Sequence, residues 1–497
     1  MTPAALRSSR GLIAAFLLGA ATVFGFAPFG LAALPVFTAA GLLRLWQQTN
    51  APRRAAALGF AFGLGLFLAG ISWIYISLHD IGGMPAPLAA VATLLASAFL
   101  ALFPALAGYL QSRLACALSL RQLLLIPALW TLTEWLRDWL FTGFPWLSLG
   151  YSQAASPLAG FAPVAGVFGL TWLVWLCAGL LLALLRAKAR IAALAGFALL
   201  FAAGYGLQQV EWTAAQGEPV TVSLLQGNIA QDLKWDEARF GATLELYQRM
   251  ARESTARITI LPETAIPRFL DRLDPRFMRE LAQAARARGA DLIIGVPVRD
   301  ERGRYYNSVL SLGTAPAQRY DKVHLFPFGD FIPSGFGWIL SILNIPLADF
   351  SRGGETQPPL ALAGQKIAVN ICYEDAFGEE IIRALPEATL LVNASNFAWF
   401  GDSLAPHQHL QMAQLRALES GRVMLRATNT GMTAIIGHRG NVAAALPVFT
   451  QGALNGSVQG RSGATPYVRW GNAPVIALAL LVSGLLALRQ GRSAVRV

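Results

Sequence analysis

The chain has 497 residues, of which 55% are hydrophobic and 13% charged, and a formal net charge of +11. Such a composition excludes an ordinary soluble enzyme. The basic balance does not imply a nucleic-acid partner either: residues 218–466 hold 24 basic and 24 acidic side chains, so the excess lies in the apolar remainder, where it signals topology and not phosphate binding.

Seven hydrophobic segments precede residue 210, at roughly 11–27, 31–46, 56–77, 87–111, 122–141, 160–185 and 191–209, and an eighth covers 473–488. They read as membrane spans, the first as an uncleaved anchor; the first and last are short for the ~20 residues a span needs, which leaves their ends soft. Thirteen Arg and Lys side chains, from Arg7 to Arg496, fall in alternate loops, whereas the opposite loops contain only His79 and Asp80. The positive-inside rule then puts both termini in the cytoplasm and residues 210–472 on the far side. Within the fifth segment Glu134, Arg137 and Asp138 share one helical face at i, i+3 and i+4. Charges in a span are costly, so these read either as an internal ion pair or as a contact to a head group or substrate.

The external stretch 218–466 alternates strand and helix patterns. Val220–Gln226, Ile258–Leu261, Asp291–Pro297, Tyr306–Leu312, Lys366–Cys372, Thr389–Asn393, Val423–Ala427 and Thr433–Gly437 are short, apolar and rich in Val, Ile and Leu, as buried strands are. Helical patterns cover Asp236–Glu253, Pro275–Arg288, Phe377–Leu385 and Pro406–Ser420. This alternation predicts an α/β layered domain. Phe326–Phe350 breaks the pattern: apolar, aromatic and rich in Gly and Pro, it reads as a buried irregular loop or as an apolar arm facing the bilayer.

Chemistry concentrates at three strand ends. Cys372 closes Ile367–Ile371 and is the sole cysteine of the external stretch. It has no partner there for a disulfide, and a lone thiol at a strand-to-helix turn suits a nucleophile. Cys116 and Cys177 lie at or within apolar segments and read as packing residues. Glu263 follows Ile258–Leu261 directly; a carboxylate there can take a thiol proton if burial raises its proton affinity. Lys322 is one of three lysines in the stretch, with Lys234 and Lys366, against many arginines. Beside thiol and carboxylate it could stabilise an oxyanion. A carboxylate, an ammonium and a thiol suffice for acyl transfer through a thioester. His407 and His409 have no metal-ligand partners at useful spacing; neither metal nor cofactor is expected.

Leu261-Pro262-Glu263-Thr264, Tyr320-Asp321-Lys322-Val323-His324-Leu325 and Ile371-Cys372-Tyr373-Glu374 resemble the Glu-Lys-Cys triad of the nitrilase, or carbon–nitrogen hydrolase, superfamily. Thr142–Leu147, Gln226–Ile229, Leu233-Lys234-Trp235, Phe326–Gly329, Asn393–Asn396, Trp399–Ser403 and Pro406–Arg426 narrow the likeness, over nearly the full length, to the apolipoprotein N-acyltransferase family. The resemblance implies an αββα nitrilase-like sandwich on an eight-helix membrane base: residues 1–210 a seven-span domain, 218–466 a periplasmic catalytic domain, 473–488 the eighth helix. It implies transfer of an acyl chain from a phospholipid to the α-amine of an S-diacylglyceryl cysteine of an apolipoprotein, at the periplasmic side of a Gram-negative inner membrane. Glu263 would be the general base, Lys322 the oxyanion-stabilising cation and Cys372 the nucleophile. Glu374 and Tyr373 would support Cys372, and Trp235 and Asn307 would line the site. Where that family usually has Glu after Phe-Gly, this chain has Asp330, a carboxylate on a shorter stem.

Two other functions share some of these features. A membrane-tethered amidase or nitrilase for a small polar substrate would need neither the apolar arm nor eight spans. A transporter with an external sensor would need more intramembrane charge or a broken-helix pair.

Overall fold

The structure, a computed structural model, describes residues 3–333, 335, 337 and 349–494. Most of the expected apolar arm, including Trp338, lies outside the described residues. The chain divides into two compact units, one of Met1–Tyr75, Ala86–Val210 and Arg469–Val497, the other of Ile76–Pro85 and Glu211–Val468. The segment Ile76–Pro85, inside the stretch expected to be membrane domain, thus groups with the second unit.

The first unit is helical. Among the described residues, four of its helices are long and apolar enough to cross a membrane: Pro52–Gly70, Ala86–Arg113, Pro157–Ala183 and Arg190–Gln208. Ser9–Gly25, Leu34–Trp46 and Ala473–Arg489 are shorter apolar helices. Ile126–Trp139 carries the charged face. Gly19 and Gly65 let two helices touch backbone to backbone, since a Cβ on either would strike the Phe62 or Phe16 carbonyl, a close approach that small residues permit between apolar helices. The charged face is not simply an internal ion pair. Glu134 accepts from Trp130 Nε1 at 2.9 Å, the Leu149 amide at 3.1 Å and Thr171 Oγ1 at 2.6 Å, while Arg137 donates to the Trp146 carbonyl at 2.7 Å and to Ser148 Oγ at 3.1 Å. Both side chains fasten the irregular loop 144–149, supplying polar groups that such a backbone lacks.

The second unit is a sandwich of two six-stranded sheets. One has the order β12-β1-β2-β3-β4-β5, formed by β1 (Ala214–Gln226), β2 (Ile258–Ile260), β3 (Asp291–Arg299), β4 (Tyr305–Gly313), β5 (Arg319–Asp321) and β12 (Gly452–Ser462). The other has the order β11-β10-β9-β8-β7-β6, from β6 (Leu360–Leu362), β7 (Gln365–Ile371), β8 (Leu390–Ser395), β9 (Val423–Thr428), β10 (Ala434–Ile436) and β11 (Val442–Ala445). The central strands β1-β2-β3 and β7-β8-β9 run parallel; the outer pairs are antiparallel.

Side chains alternate along each strand, so neighbours serve different layers. Ile293, Ile367, Val369 and Ile371 enter the core shared by the sheets. Leu292, Ile294 and Val296 face the other way and pack with Tyr247, Met250, Leu281 and Ala285, from the helices Glu237–Glu253 and Pro275–Ala287. Across the sandwich Ala368 and Leu391 meet Ile381, Leu410, Ala413 and Ala417, the last three on the helix Ala405–Ser420. The layers are αββα, as expected for the external stretch. At about 25 cal/mol per Å² this apolar burial is its main stabilising term.

Candidate active site

The site lies where chain segments leave the strands. β2 is followed by Leu261-Pro262 and then Glu263; Lys322 follows β5, Cys372 follows β7 and Asn396 follows β8. Carboxyl ends of parallel strands are where open α/β sheets commonly present functional groups.

Glu263 is only 7% exposed. Its Oε1 accepts from Asn307 Nδ2 at 2.7 Å and lies 3.4 Å from Lys322 Nζ, and its Oε2 accepts from the Asn396 amide at 2.9 Å. The turn carrying it is packed against β3. A Cβ on Gly295 would collide with the Pro262 carbonyl oxygen and come within 2.6 Å of the Thr264 nitrogen, so only glycine lets the two backbones meet there.

Lys322 is 2% exposed and pairs with Asp330 Oδ2 at 2.7 Å as well as with Glu263. Burial alone would depress its proton affinity, but the Asp330 and Glu263 carboxylates outweigh it and hold the ammonium well above the ordinary lysine range. It is a fixed cation. Asp330 therefore reaches its partner despite the shorter stem. It also holds the base of the apolar segment: its Oδ2 accepts from the Phe326 amide at 2.8 Å, and its own amide donates to the Phe326 carbonyl at 2.8 Å.

Cys372 is half-buried, with a free thiol and a left-handed φ of +54°. A non-glycine residue held there costs about 1–2 kcal/mol, strain that marks turns built to aim a side chain. Burial raises its thiol pKa far above normal, and the Glu263 carboxylate raises it further, with Lys322 opposing. The resting sulfur is thus protonated, and forming a thiolate requires a base.

The turn after Cys372 is secured from both sides. Glu374, buried, accepts from the amides of Ile371 at 2.6 Å, Val323 at 2.6 Å and His324 at 3.0 Å, and from Tyr320 Oη at 3.0 Å. Burial pushes its pKa up to about 7, against the pull of those hydrogen bonds. Tyr373 is buried among Phe326, Phe377 and His324, with ring centroids 5.0, 5.1 and 5.8 Å away. Trp235 is half-buried at the C-cap of the short helix Gln231–Lys234.

Several residues with no assigned role join this site. Asn393 donates to the Cys372 carbonyl at 3.0 Å and in turn accepts from Arg426 at 3.0 Å. Arg426 also holds Asp375 at 2.9 Å, and His409 contacts both Arg426 and Asp375. Burial and the neighbouring Arg426 push His409 down to about 4, so its ring is neutral and bridges the pair. An arginine in the apolar run Val423–Thr428 was the available signal, since a buried charge requires a partner. Lys234 Nζ donates to the Glu263 carbonyl at 3.1 Å and to Thr264 Oγ1; burial depresses it to about 8 while Glu263 and Cys372 pull the other way. Among the described residues no group of three or more His, Cys, Asp or Glu could hold a metal ion.

Residues 18–180 match the model of the apolipoprotein N-acyltransferase N-terminal domain, and residues 221–467 match that of carbon-nitrogen hydrolase. Among solved structures, an amidase from Nesterenkonia sp. covers 52% of this chain and 96% of its own, at 18% identity and a TM-score of 0.39. An apolipoprotein N-acyltransferase of Nitrosomonas europaea is 53% identical over 97% of this chain and 98% of its own length. Another, from Chromobacterium violaceum, is 48% identical over 94% and 91%. With both parts matched and identity sustained end to end, the chain belongs to the apolipoprotein N-acyltransferase family, acyltransferases of lipoprotein biosynthesis.

Proposed function

We propose that this protein moves a fatty acyl chain from a membrane phospholipid, through a thioester on Cys372, to the α-amine of the S-diacylglyceryl cysteine of an apolipoprotein. The observation that carries the reading is the pairing of Lys322 with both Glu263 and Asp330, three charges that all act on the half-buried Cys372 thiol, in a chain with helices apolar enough to cross a membrane. In the first half-reaction Glu263 takes the thiol proton as sulfur attacks the donor ester carbonyl. The ammonium of Lys322, fixed in its charged state, offsets the oxyanion. The C–O bond breaks, and the proton passes from Glu263 to the departing lyso-phospholipid oxygen. In the second, the acceptor amine attacks the thioester and gives up a proton to Glu263. The C–S bond breaks, and that proton returns to sulfur. Glu374 and Tyr373 keep the Cys372 turn in place, Asn307 orients Glu263, and Trp235 lines the approach. Phe326, 5.0 Å from Tyr373 and 6.4 Å from Phe400 between ring centroids, gives the entrance an apolar wall suited to a lipid.

One cysteine cannot engage donor and acceptor together, so the kinetics should be ping-pong. Donor alone should release lyso-phospholipid in an amount equal to the enzyme and leave an acyl group on Cys372, visible as added protein mass. Intersecting lines in two-substrate rate plots, or no lyso-product before acceptor is added, would mean a ternary complex. Steady hydrolysis of donor without acceptor would favour an amidase-like enzyme.

The membrane reading is eight spans in the inner membrane of a Gram-negative bacterium, both termini cytoplasmic and the catalytic domain periplasmic. It rests on the alternation of basic loops. A reporter after Arg492 should read cytoplasm and one inserted near Gly217 periplasm; the same side for both would overturn it.

A further inference from the structure

We infer that Lys234 is a positioning residue for Glu263: its ammonium holds the Glu263–Thr264 turn and thereby sets the direction in which the carboxylate points. The inference rests on the reading of Glu263 as the general base.

Three observations converge on that turn. Lys234 is buried, and its Nζ is spent on the Glu263 main-chain carbonyl at 3.1 Å and on Thr264 Oγ1. Thr264 has a left-handed φ of +44°, a conformation that persists only where surrounding structure enforces it. On its other side the turn presses against the bare backbone of Gly295, where a Cβ could not fit. The base is therefore clamped between a glycine and an ammonium. The helix that carries Lys234 reaches the carboxylate end as well: Gln231 Oε1 accepts from Asn396 Nδ2 at 2.9 Å, and the Asn396 amide donates to Glu263 Oε2 at 2.9 Å. One short segment, Gln231–Lys234, thus fixes both the backbone and the head group of Glu263.

Packing alone does not call for lysine here. A buried ammonium is costly to desolvate, and an apolar residue of similar volume would fill the space without that cost. What lysine adds is a donor that grips a carbonyl and a hydroxyl together, between the two backbone bonds that tie the turn to β3, Leu261 N–H to the Ile293 carbonyl at 2.8 Å and Ile266 N–H to the Gly295 carbonyl at 3.2 Å.

The test uses the full-length enzyme in detergent or lipid and follows N-acyl product at saturating acceptor, where kcat and KM for the phospholipid are both defined. Lys234→Met keeps the stem and removes the donor; Lys234→Arg keeps a donor and a charge. Misplacing a catalytic group by about 1 Å can cost roughly 100-fold, so Lys234→Met should lower kcat by about 10- to 100-fold with KM for the phospholipid within about twofold. Lys234→Arg should recover much of that loss. Thr264→Val, which removes only the accepting hydroxyl, covers the case in which Lys234→Met does not fold, and should lower kcat about three- to tenfold at unchanged KM. A folded Lys234→Met enzyme with native kcat, a rise in KM matching the fall in kcat, or Thr264→Val at native rate would overturn the inference. Glu263→Gln, assayed in parallel, separates the two claims. If it is inactive while Lys234→Met is normal, only the positioning role fails; if it is fully active, the reading of Glu263 as base fails.

Discussion

Cys372→Ala should eliminate N-acyl product while leaving the protein folded. The substitution deletes a single sulfur at a half-buried position and keeps a non-glycine residue at the same φ of +54°, so the strain of the turn is unchanged. What holds that turn, the Glu374 carboxylate under Ile371, Val323 and His324 and the Asn393 amide on the Cys372 carbonyl, does not involve the sulfur. Stability should shift by no more than about 1 kcal/mol, within the usual range for small truncations. Rate should fall by roughly a million-fold, as removal of the nucleophile does in other acyl transfer enzymes. Cys372→Ser should be almost as damaging, because a hydroxyl is a far weaker acid than a thiol already pushed up by burial and by Glu263. Product assay and thermal unfolding, run on the same preparation, decide the matter. Turnover at even a few per cent of native would end the thioester mechanism.

Lys322→Met should damage both activity and stability. On the rate side it removes the cation that would face the developing oxyanion, a loss of about 2.7–4 kcal/mol or 100- to 1,000-fold in kcat where single donors have been removed. On the stability side it leaves Glu263 and Asp330, each under a tenth exposed, without the ammonium that lies 3.4 and 2.7 Å from them. Removing one partner of a buried charge set costs roughly 3–5 kcal/mol. The pH dependence has a definite sign. In the native protein the lysine pKa is raised by folding, so its contribution is fully present below the ordinary lysine range and is lost only as pH climbs through the raised value. At neutral pH it is intact and flat. The variant lacks that contribution, so its deficit against the native protein should be full and constant between pH 6 and pH 8. Unfolding temperatures of both proteins at those two pH values test this, and a variant as stable as the native protein at either would mean that the lysine does not hold the two carboxylates.

How much of this was legible in the sequence depends on what kind of contact each feature makes. The eight buried strands, Val220–Gln226 to Thr433–Gly437, announced themselves because both faces of a central strand are apolar. β5, β6 and β11 did not: β2 and β10 are as short but wholly buried, whereas these three are only partly buried. β12 was hidden for another reason: Gly452–Ser462 holds three glycines and polar residues in alternation, yet pairs with β1 from Ala214 to Gln226. Its glycines serve packing, since a Cβ at Gly456 would meet Ile435 Cδ1 at 2.5 Å. Hydropathy also marked eight apolar segments, but whether a segment is long enough to span depends on where helices break, and among the described residues four helices meet that length. In the site, Glu263, Lys322 and Cys372 stood out by local context at strand ends. Asn396, Asn393, Arg426 and Lys234 fell inside segments that carried the family likeness but had no role to read there, because each matters through a partner distant in sequence, and only tertiary packing makes those pairs neighbours.

Glu263 draws one hydrogen bond from Asn307 on β4 and another from Asn396 beyond β8, one from each sheet. A growing chain that has reached residue 350 already contains the carboxylate and the lysine, but neither the thiol nor the second clasp. On the proposed roles, the domain would therefore be chemically silent until both are in place: the sulfur emerges with β7, and the carboxylate that would serve as its base is aimed only once Asn396, from the second sheet, reaches it.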